Sequence, residues 1–376
     1  MRQRKAALRR RAIMMNSNYM SNYSYGEDCF EDIPHVLEPY RVKSVVFIGG
    51  KRALASSEAG VRTVCEKGGI RVTGSFVYGV ECTAGNIEHL AGLTEVQEAD
   101  AIFGFGGGKA TDTAKMVAKA VDKPIFTFPT ICSNCSSGTC IAVIYHEDGS
   151  LDHYGYPDTP AHIFINTKVI ANAPAKYFWA GIGDGISKAP EVEHCVRHAK
   201  ESTANLPHTA VLGAAIAASS KDAFYTYGKE GLEDVRQHRV SKAIEEIALD
   251  ILVSTGYASN LTNQKDFYYN SCHAHAFYNG TTRISREGEY LHGQVVSFGV
   301  LVLHAYFGED EEMHRIAKFN HSIKLPVTLA ELGLTDDDAD KVAAYAMETN
   351  EYKNFPFDEK TFAAAIRKVN AYGKTL

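Results

Sequence analysis

The sequence predicts a two-domain protein, in which a doubly wound α/β domain is followed by an all-α domain. In the first half, short apolar runs alternate with segments of helical periodicity, which is typical of a parallel sheet covered by helices. After residue 174 strand signals almost vanish and helical periodicities recur. The 376 residues are enough for two hydrophobic cores. We therefore expect the α/β domain over residues 21–174 and the helical domain over residues 175–376.

Composition excludes several functional classes. The chain is 45% hydrophobic and 22% charged, as in ordinary globular proteins. No apolar run approaches the roughly 18 residues that span a bilayer, so we expect no membrane partner. A net charge of −6 gives no reason to expect nucleic acid as a partner. The eight cysteines have no regular spacing and no secretory signal precedes them, which indicates free thiols and a cytoplasmic location.

Residues 1–20 are excluded from the fold. Their first eleven residues, MRQRKAALRRR, carry six positive charges and no acid. An upstream extension of the reading frame is the favoured interpretation, and a transit peptide is the alternative. In either case we expect this basic extension to be disordered.

Five strands are predicted in the first half, each ending near a glycine, proline or asparagine. Their apolar runs lie at 43–50, 70–78, 101–105, 124–128 and 163–166. One helix is predicted before them at 27–41 and others between them at 56–68, 86–94 and 111–120, and a hairpin joins 139–145 to 151–155. Because ligands of doubly wound domains bind beyond the carboxyl ends of the strands, the loops at those ends are the candidate sites.

One such loop contains three consecutive glycines. Gly106, Gly107 and Gly108 are followed by Lys109 and by a predicted helix. Glycines let backbone N–H groups approach a pyrophosphate closely, and the helix N-terminus favours its negative charge. The loop matches neither of the standard phosphate motifs. Phosphate binding is the favoured interpretation, and simple chain reversal is the alternative.

The second half contains a candidate metal-ligand set. Asp184 lies in the segment GIGDG, which we interpret as a glycine-rich turn, and His275 and His292 follow about 90 residues later. One carboxylate and two imidazoles can hold a divalent ion that keeps an open position for substrate. His273 and His275 point about 200° apart on a helix, so only one of them can be a ligand. The alternative is that these are ordinary surface or core histidines. Helices are predicted at 207–227, 232–256, 265–280, 292–307, 310–323, 337–349 and 359–371.

An ordered series of motifs gives the chain a family resemblance. The motifs are GFGGGKATDTAK, PTICSNCSSGTCIAVIY, NTKVIANAP, AGIGDGISK, HAFYNG and HGQVVSFG. Through them the chain resembles the iron-containing alcohol dehydrogenase superfamily and its glycerol dehydrogenase-like branch, most of all the hydroxycarboxylate dehydrogenase members. The resemblance implies a Rossmann-like nucleotide domain and a helical domain, as in dehydroquinate synthase-like folds, with the active site in the cleft between them.

The resemblance also implies roles for individual residues. Asp184, His275 and His292 are similar to the family's catalytic metal ligands, for zinc or iron. The pyrophosphate loop would extend from the glycines through Lys109, Ala110, Thr111 and Asp112. Positions lining the nicotinamide side are Thr130, Ser133, Thr139, Ile141 and Tyr145.

Departures from the family pattern bear on substrate and cofactor. Cys135 stands where glycerol dehydrogenases carry an Asp that contacts the polyol, and this favours a 2-hydroxy acid over glycerol. Gly50 stands where many relatives carry an Asp for the ribose diol. With Lys51 and Arg52 beside it, this favours NADP over NAD. Tyr278 replaces a second histidine, which reshapes the substrate pocket.

The function expected from these observations is metal-dependent, NAD(P)-linked hydride transfer between a small alcohol and its carbonyl. A 2-hydroxy acid is the favoured substrate and glycerol the alternative. A lyase related to dehydroquinate synthase is the alternative of another class, although such lyases carry Glu at the position of Asp184. A nucleotide-binding protein without catalysis is a further alternative. The resemblance is compatible with a homo-oligomer, which no residue indicates by itself.

Overall fold

The computed structural model describes residues 19–202, 206–264 and 267–376. Most of the predicted basic extension, residues 1–18, therefore lies outside the described residues. The strands are β1 Asn22–Tyr25, β2 Ser44–Gly49, β3 Arg71–Val77, β4 Ala101–Gly106, β5 Ile125–Pro129, β6 Ala142–Tyr145, β7 Leu151–Gly155, β8 His162–Ile165, β9 Asn263–Gln264 and β10 Phe267–Tyr268.

The helices continue to the C-terminus. They are α1 Ile33–Leu37, α2 Lys51–Lys67, α3 Ala84–Ala91, α4 Thr94–Glu98, α5 Gly108–Val121, α6 Thr167–Ala171, α7 Ala175–Ser202, α8 His208–Ser219, α9 Lys221–Arg236, α10 Lys242–Leu249, α11 Thr255–Thr262, α12 His273–Thr281, α13 His292–Tyr306, α14 Asp310–Ser322, α15 Asp338–Ala346, α16 Asn350–Asn354 and α17 Glu359–Gly373. A π-helical segment, Asp250–Ser254, joins α10 to α11.

Six strands form a parallel sheet in the order β1-β8-β5-β4-β2-β3. Strand β2 is fully buried and its side chains alternate, so that Val45 and Phe47 enter one apolar cluster while Val46 and Ile48 enter another on the opposite face. The chain passes from β2 to β3 on one side and then crosses to β4 on the other side. The ends of β2 and β4 therefore border the point where the strand order reverses, which is where doubly wound sheets bind ligands.

Helices from α7 onward enclose the largest apolar cluster, in which α13 is almost completely buried. The predicted fold class, a Rossmann-like sheet domain followed by a helical region, is confirmed. The last strand of the sheet ends at Ile165 and α7 begins at Ala175; the predicted domain boundary at residue 174 stays a prediction. In the part of the chain that the structure describes, none of the helices is long and apolar enough to cross a membrane.

The prediction of a glycine-rich turn around Asp184 was wrong. Residues 181–185 lie inside α7, a continuous helix of 28 residues. The glycines serve close packing: a Cβ on Gly183 would lie 2.4 Å from the backbone oxygen of Gly293 in α13, and one on Gly181 would lie 2.0 Å from the oxygen of Cys132. Tertiary contact thus overrides the helix penalty of glycine, about 1 kcal/mol per residue.

Other differences concern helix ends. Helix α2 begins at Lys51, five residues before its predicted start, with Gly50 as its N-cap. The predicted helix at 265–280 is confirmed only from His273 onward, because Asn263–Gln264 and Phe267–Tyr268 form a short antiparallel pair. The predicted hairpin at 139–155 is confirmed as β6 and β7.

Candidate metal centre and nucleotide site

Three helices bring the predicted metal ligands together. Asp184 comes from the middle of α7, His275 from the first turn of α12 and His292 from the first position of α13. Asp184 Oδ1 lies 3.1 Å from His292 Nε2 and 3.8 Å from His275 Nε2, and one ligand atom from each residue lies within 4.8 Å of the others. Ligands of a tetrahedral ion with bonds of about 2.1 Å are about 3.4 Å apart, so the spacing fits a divalent metal.

The donor atoms also fit a metal chemically. Asp184 is 8% exposed, and its Oδ1 is buried without a hydrogen-bond partner among the described residues. An unsatisfied buried carboxylate oxygen is costly unless a cation completes it. Burial alone would raise the pKa of Asp184, but the neighbouring His292 and His275 outweigh it and lower that pKa. The carboxylate is therefore ionised and ready to ligate.

Glu191, two helical turns after Asp184, orients one of the histidines. Its Oε1 accepts hydrogen bonds from the backbone N–H groups of Cys272 and His275, at 2.8 and 3.0 Å. Its Oε2 accepts one from His275 Nδ1 at 2.6 Å. Because a carboxylate only accepts, Nδ1 carries the proton and the Nε2 lone pair faces Asp184. Burial lowers the pKa of His275, but Glu191 outweighs this effect, and the raised pKa means a more basic ligand nitrogen.

Sequence reasoning missed Glu191. A carboxylate seven residues after a ligand on one helix lies on the same face, which is the signal that could have found it. That signal depends on knowing that residues 181–191 are helical, and the glycines concealed this.

The structure does not place His273 at the metal ligands. Its ring is fully buried, its centroid lies 4.5 to 5.9 Å from those of five aromatic residues, and neither ring nitrogen has a hydrogen-bond partner in the described part of the chain. Burial lowers its pKa to about 3. The structure supports the core alternative for this histidine.

The three predicted phosphate-loop glycines lie at the crevice where the strand order reverses. Gly106 ends β4 with a φ of +139°, which favours glycine, and a Cβ on Gly107 would lie 2.4 Å from Ile131 Cδ1. Gly108 opens α5, a helix of 14 residues. In its first turn, Thr111 Oγ1 is buried without a partner among the described residues. The exposed amine of Lys109 pairs with Glu81.

Asp112 has a structural task beside this loop. Its carboxylate accepts hydrogen bonds from Ser136 Oγ at 2.6 Å and from the N–H of Val143 at 3.0 Å, and it pairs with the buried amine of Lys115 at 2.9 Å. Lys115 Nζ in turn donates to backbone oxygens of Ser136 and Thr139, and to that of Ile141 at 2.5 Å. Sequence reasoning missed Lys115, which holds the segment 136–141 over the glycine loop.

The residues predicted for the adenosine side lie at the end of β2. Gly50 N donates to the oxygen of Phe105 at 3.3 Å, so the ends of β2 and β4 lie side by side. Lys51 and Arg52 are exposed in the first turn of α2. Arg52 borders a cavity of about 490 Å³, together with Thr130 at the end of β5.

The predicted substrate residues lie on both sides of the cleft. The loop carrying Cys135 is tied to α11, because Asn260 accepts from the N–H of Cys140 at 2.9 Å and donates to the oxygen of Gly138 at 2.8 Å. Burial raises the pKa of the Cys135 thiol to about 11, so it is a neutral group rather than a nucleophile. Ser133 lies in the same loop, with Oγ 4.0 Å from the Cβ position of Gly107.

Two tyrosines complete this region. The ring of Tyr278 in α12 packs edge-on against His292, with centroids 4.3 Å apart. Burial raises the pKa of Tyr145 in β6, and the charge of Tyr278 adds to that rise, which indicates that the two side chains are near one another. Tyr145 of the sheet domain thus lies near Tyr278, which packs against the metal-ligand candidate His292.

The same family emerges from comparison with known proteins. A family model described as iron-containing alcohol dehydrogenase matches residues 21–166. A glycerol dehydrogenase of Thermotoga maritima is 32% identical over 79% of this chain and 82% of its own length. Hydroxycarboxylate dehydrogenase A of Escherichia coli is 27% identical over 96% and 98% of the two chains. The crystal structure of glycerol dehydrogenase from Schizosaccharomyces pombe superimposes with a TM-score of 0.82, at 25% identity, over 96% of this chain and 91% of that one.

These likenesses agree with the architecture described above. The chain belongs to the iron-containing alcohol dehydrogenase superfamily, in its glycerol dehydrogenase-like branch, and is an alcohol oxidoreductase.

Proposed function

We propose that the protein interconverts a small alcohol and its carbonyl by hydride transfer to and from a nicotinamide dinucleotide, with a divalent metal at Asp184, His275 and His292. The observation that carries this proposal is the convergence of these three ligand atoms, one of them a buried oxygen without a hydrogen-bond partner among the described residues. Zinc and ferrous iron both suit one carboxylate and two imidazoles. Such an ion supplies a Lewis acid that polarises the substrate oxygen.

The chain's own residues perform the remaining tasks. Glu191 holds His275 in the tautomer that a metal ligand needs. The backbone N–H groups at the start of α5 face the crevice at the strand-order reversal and suit a pyrophosphate. The loop of Cys135 lies near Asp184, where we expect it to help exclude water from the site. The balance of the reaction is alcohol plus NAD(P)⁺ giving carbonyl, NAD(P)H and a proton.

For the dinucleotide, we propose NADP rather than NAD. With Gly50 in place of the Asp of many relatives, no carboxylate at this position repels a 2′-phosphate. The exposed Lys51 and Arg52 add positive charge beside it. The test is to measure kcat/KM with NADPH and with NADH, and we expect the higher value with NADPH. Arg52→Ala should reduce the preference for NADPH, and Arg41→Ala, an exposed arginine before β2, should leave it unchanged.

Two substrate classes remain in the proposal. The names of the relatives favour glycerol, since the Thermotoga relative at 32% identity is a glycerol dehydrogenase. Cys135 favours a 2-hydroxy acid, and hydroxycarboxylate dehydrogenase A of Escherichia coli matches at 27% identity. A cytoplasmic location and a homo-oligomeric state are part of the same proposal.

A substrate panel tests the proposed function. Polyols are assayed at 340 nm with NADP⁺ and NAD⁺, and 2-oxo acids and aldehydes with NADPH and NADH, for the metal-loaded protein and for Asp184→Ala. We expect the wild type to produce reduced dinucleotide from an alcohol or consume it with a carbonyl, and the variant to lose most of this activity. A variant with full activity on the best substrate would exclude the metal role. Turnover without net change at 340 nm would favour the lyase alternative.

A further inference from the structure

Helix α7 carries a third charged side chain between the two carboxylates already described. Lys188 follows Asp184 by one turn, a rise of about 6 Å, and precedes Glu191 by one turn. Positions i, i+4 and i+7 lie on one face of a helix. The side chain of Lys188 is 5% exposed, so its positive charge is buried against the same cleft as the metal ligands.

The amine of Lys188 has incomplete partners. It donates to the backbone oxygen of Asn270 at 3.0 Å and to the side-chain Oδ1 of the same residue at 2.6 Å. A lysine ammonium has three N–H donors, so one remains. No carboxylate in residues 19–202, 206–264 or 267–376 forms an ion pair with it.

A second buried lysine provides the contrast. Lys115, fully buried in α5, pairs with the carboxylate of Asp112 at 2.9 Å. Burying a charge is strongly unfavourable unless an opposite charge or a full set of hydrogen bonds compensates it. Lys115 meets that condition within the chain, whereas Lys188 has only the neutral amide oxygens of Asn270.

The charge of Lys188 acts on Asp184 in α7 and on Cys135 in the loop after β5. It is the strongest charge opposing the burial-driven rise in the pKa of the Cys135 thiol, and it is among the charges that lower the pKa of Asp184. Lys188 is therefore near Asp184 in α7 and near Cys135 in the loop after β5. A small molecule held at the metal ligands would therefore lie near this ammonium.

We propose that Lys188 binds a carboxylate of the substrate, so that the enzyme prefers 2-oxo acids and 2-hydroxy acids over uncharged polyols. The inference rests on the proposed function for the site and deepens it. The carboxylate would accept a hydrogen bond from the third N–H of Lys188 and form the ion pair that the described residues do not form with it. The reacting oxygen would face Asp184, His275 and His292.

The test compares a charged probe with its neutral counterpart. Oxamate carries a carboxylate where oxamide carries a neutral amide, and neither compound is reduced. Calorimetric titration of the metal-loaded protein with bound dinucleotide gives the two Kd values. We expect the wild type to prefer oxamate, and Lys188→Met to weaken oxamate binding about 10- to 100-fold, the range of one charge-assisted contact. Oxamide binding should not change, and Lys176→Met, an exposed lysine on the same helix, should behave as the wild type.

Turnover gives the second comparison. In Lys188→Met, kcat/KM for pyruvate should fall mainly through KM, while kcat/KM for dihydroxyacetone should be retained. Equal losses for both substrates, or an unchanged oxamate Kd, would overturn the inference. If Lys188→Met does not fold, equal wild-type affinity for oxamate and oxamide would overturn it instead. If the protein reduces dihydroxyacetone and Lys188→Met leaves oxamate binding and pyruvate turnover unchanged, the inference is refuted and the proposed function stands. If the wild type turns over no NAD(P)H with any substrate, the proposed function itself is refuted.

Discussion

Glu191→Gln separates the orientation of His275 from the packing around it. Glutamine has nearly the same volume, and its oxygen can still accept the two backbone N–H bonds from Cys272 and His275. Its amide nitrogen then faces His275 Nδ1, 2.6 Å from the present oxygen. Because that amide donates, Nδ1 must accept, and the ring proton moves to Nε2, the atom that faces Asp184.

The expected result is a weaker metal site in a folded protein. Loss of a carboxylate partner behind a metal-binding histidine typically lowers metal affinity about 10- to 100-fold, which is about 1.4–2.8 kcal/mol. Metal-free protein is titrated with Zn²⁺ in competition with a chelating dye, and the Kd of the variant is compared with that of the wild type. Thermal unfolding without metal should show that most of the fold's stability is retained.

A matched control lies on the same helix. Glu193 has an exposed side chain that pairs with Arg197 at the surface, so Glu193→Gln should bind Zn²⁺ as the wild type does. An unchanged Kd in Glu191→Gln would refute the claim that Glu191 sets the tautomer of His275. Equal losses in both variants would point to the net charge of α7 instead.

Four further predictions concern packing and pH. In Gly293→Ala the new Cβ would lie 1.9 Å from the oxygen of Ala180. We therefore expect the free energy of unfolding, measured in urea, to fall by at least about 3 kcal/mol. Gly60→Ala, in open space on a helix, should instead stabilise by about 0.5–1 kcal/mol. His273→Phe removes two buried ring nitrogens without partners in the described chain and should raise the unfolding free energy by about 1–3 kcal/mol with activity retained. Burial lowers the pKa of His162 to about 4. The neutral His162 therefore contributes at most about 3 kcal/mol to the free energy of unfolding above about pH 6.5, and this contribution is lost as the pH falls towards 4. In His162→Phe, the free energy of unfolding measured in urea should depend less on pH.

Each of these expectations has a contrary outcome. A Gly293→Ala protein as stable as Gly60→Ala would mean that α7 and α13 do not cross as closely as described. Loss of activity in a stable His273→Phe protein would mean that the imidazole of His273 contributes to the reaction. A wild-type stability that does not change between pH 6.5 and 4 would show that His162 titrates normally when folded.

Local signals were sufficient for the ligand candidates and for five of the six strands of the sheet, whereas β1 was not predicted. The apolar runs closed by glycines at 43–50 and 101–106 correspond to β2 and β4, because a parallel strand buried on both faces must be continuously apolar. The identities of Asp184, His275 and His292 also followed from residue type and motif. Their convergence is observed in the structure.

The tertiary structure decided what the glycines around Asp184 do. In isolation, three glycines in five residues indicate a turn, because glycine has a low helix propensity. In the folded protein they form helix, since only a residue without Cβ lets α7 approach α13 and the loop after β5. That helix then aligns Asp184, Lys188 and Glu191 on one face.

Residue types and spacing by themselves determined the fold class, the family resemblance and the candidate ligands. Only the tertiary structure revealed the partner of His275, the neutral burial of His273 and the unpaired charge of Lys188. The reason is physical. Backbone preferences and apolar periodicity act over a few neighbouring residues, whereas the state of a buried charge depends on groups that the fold brings from distant parts of the chain.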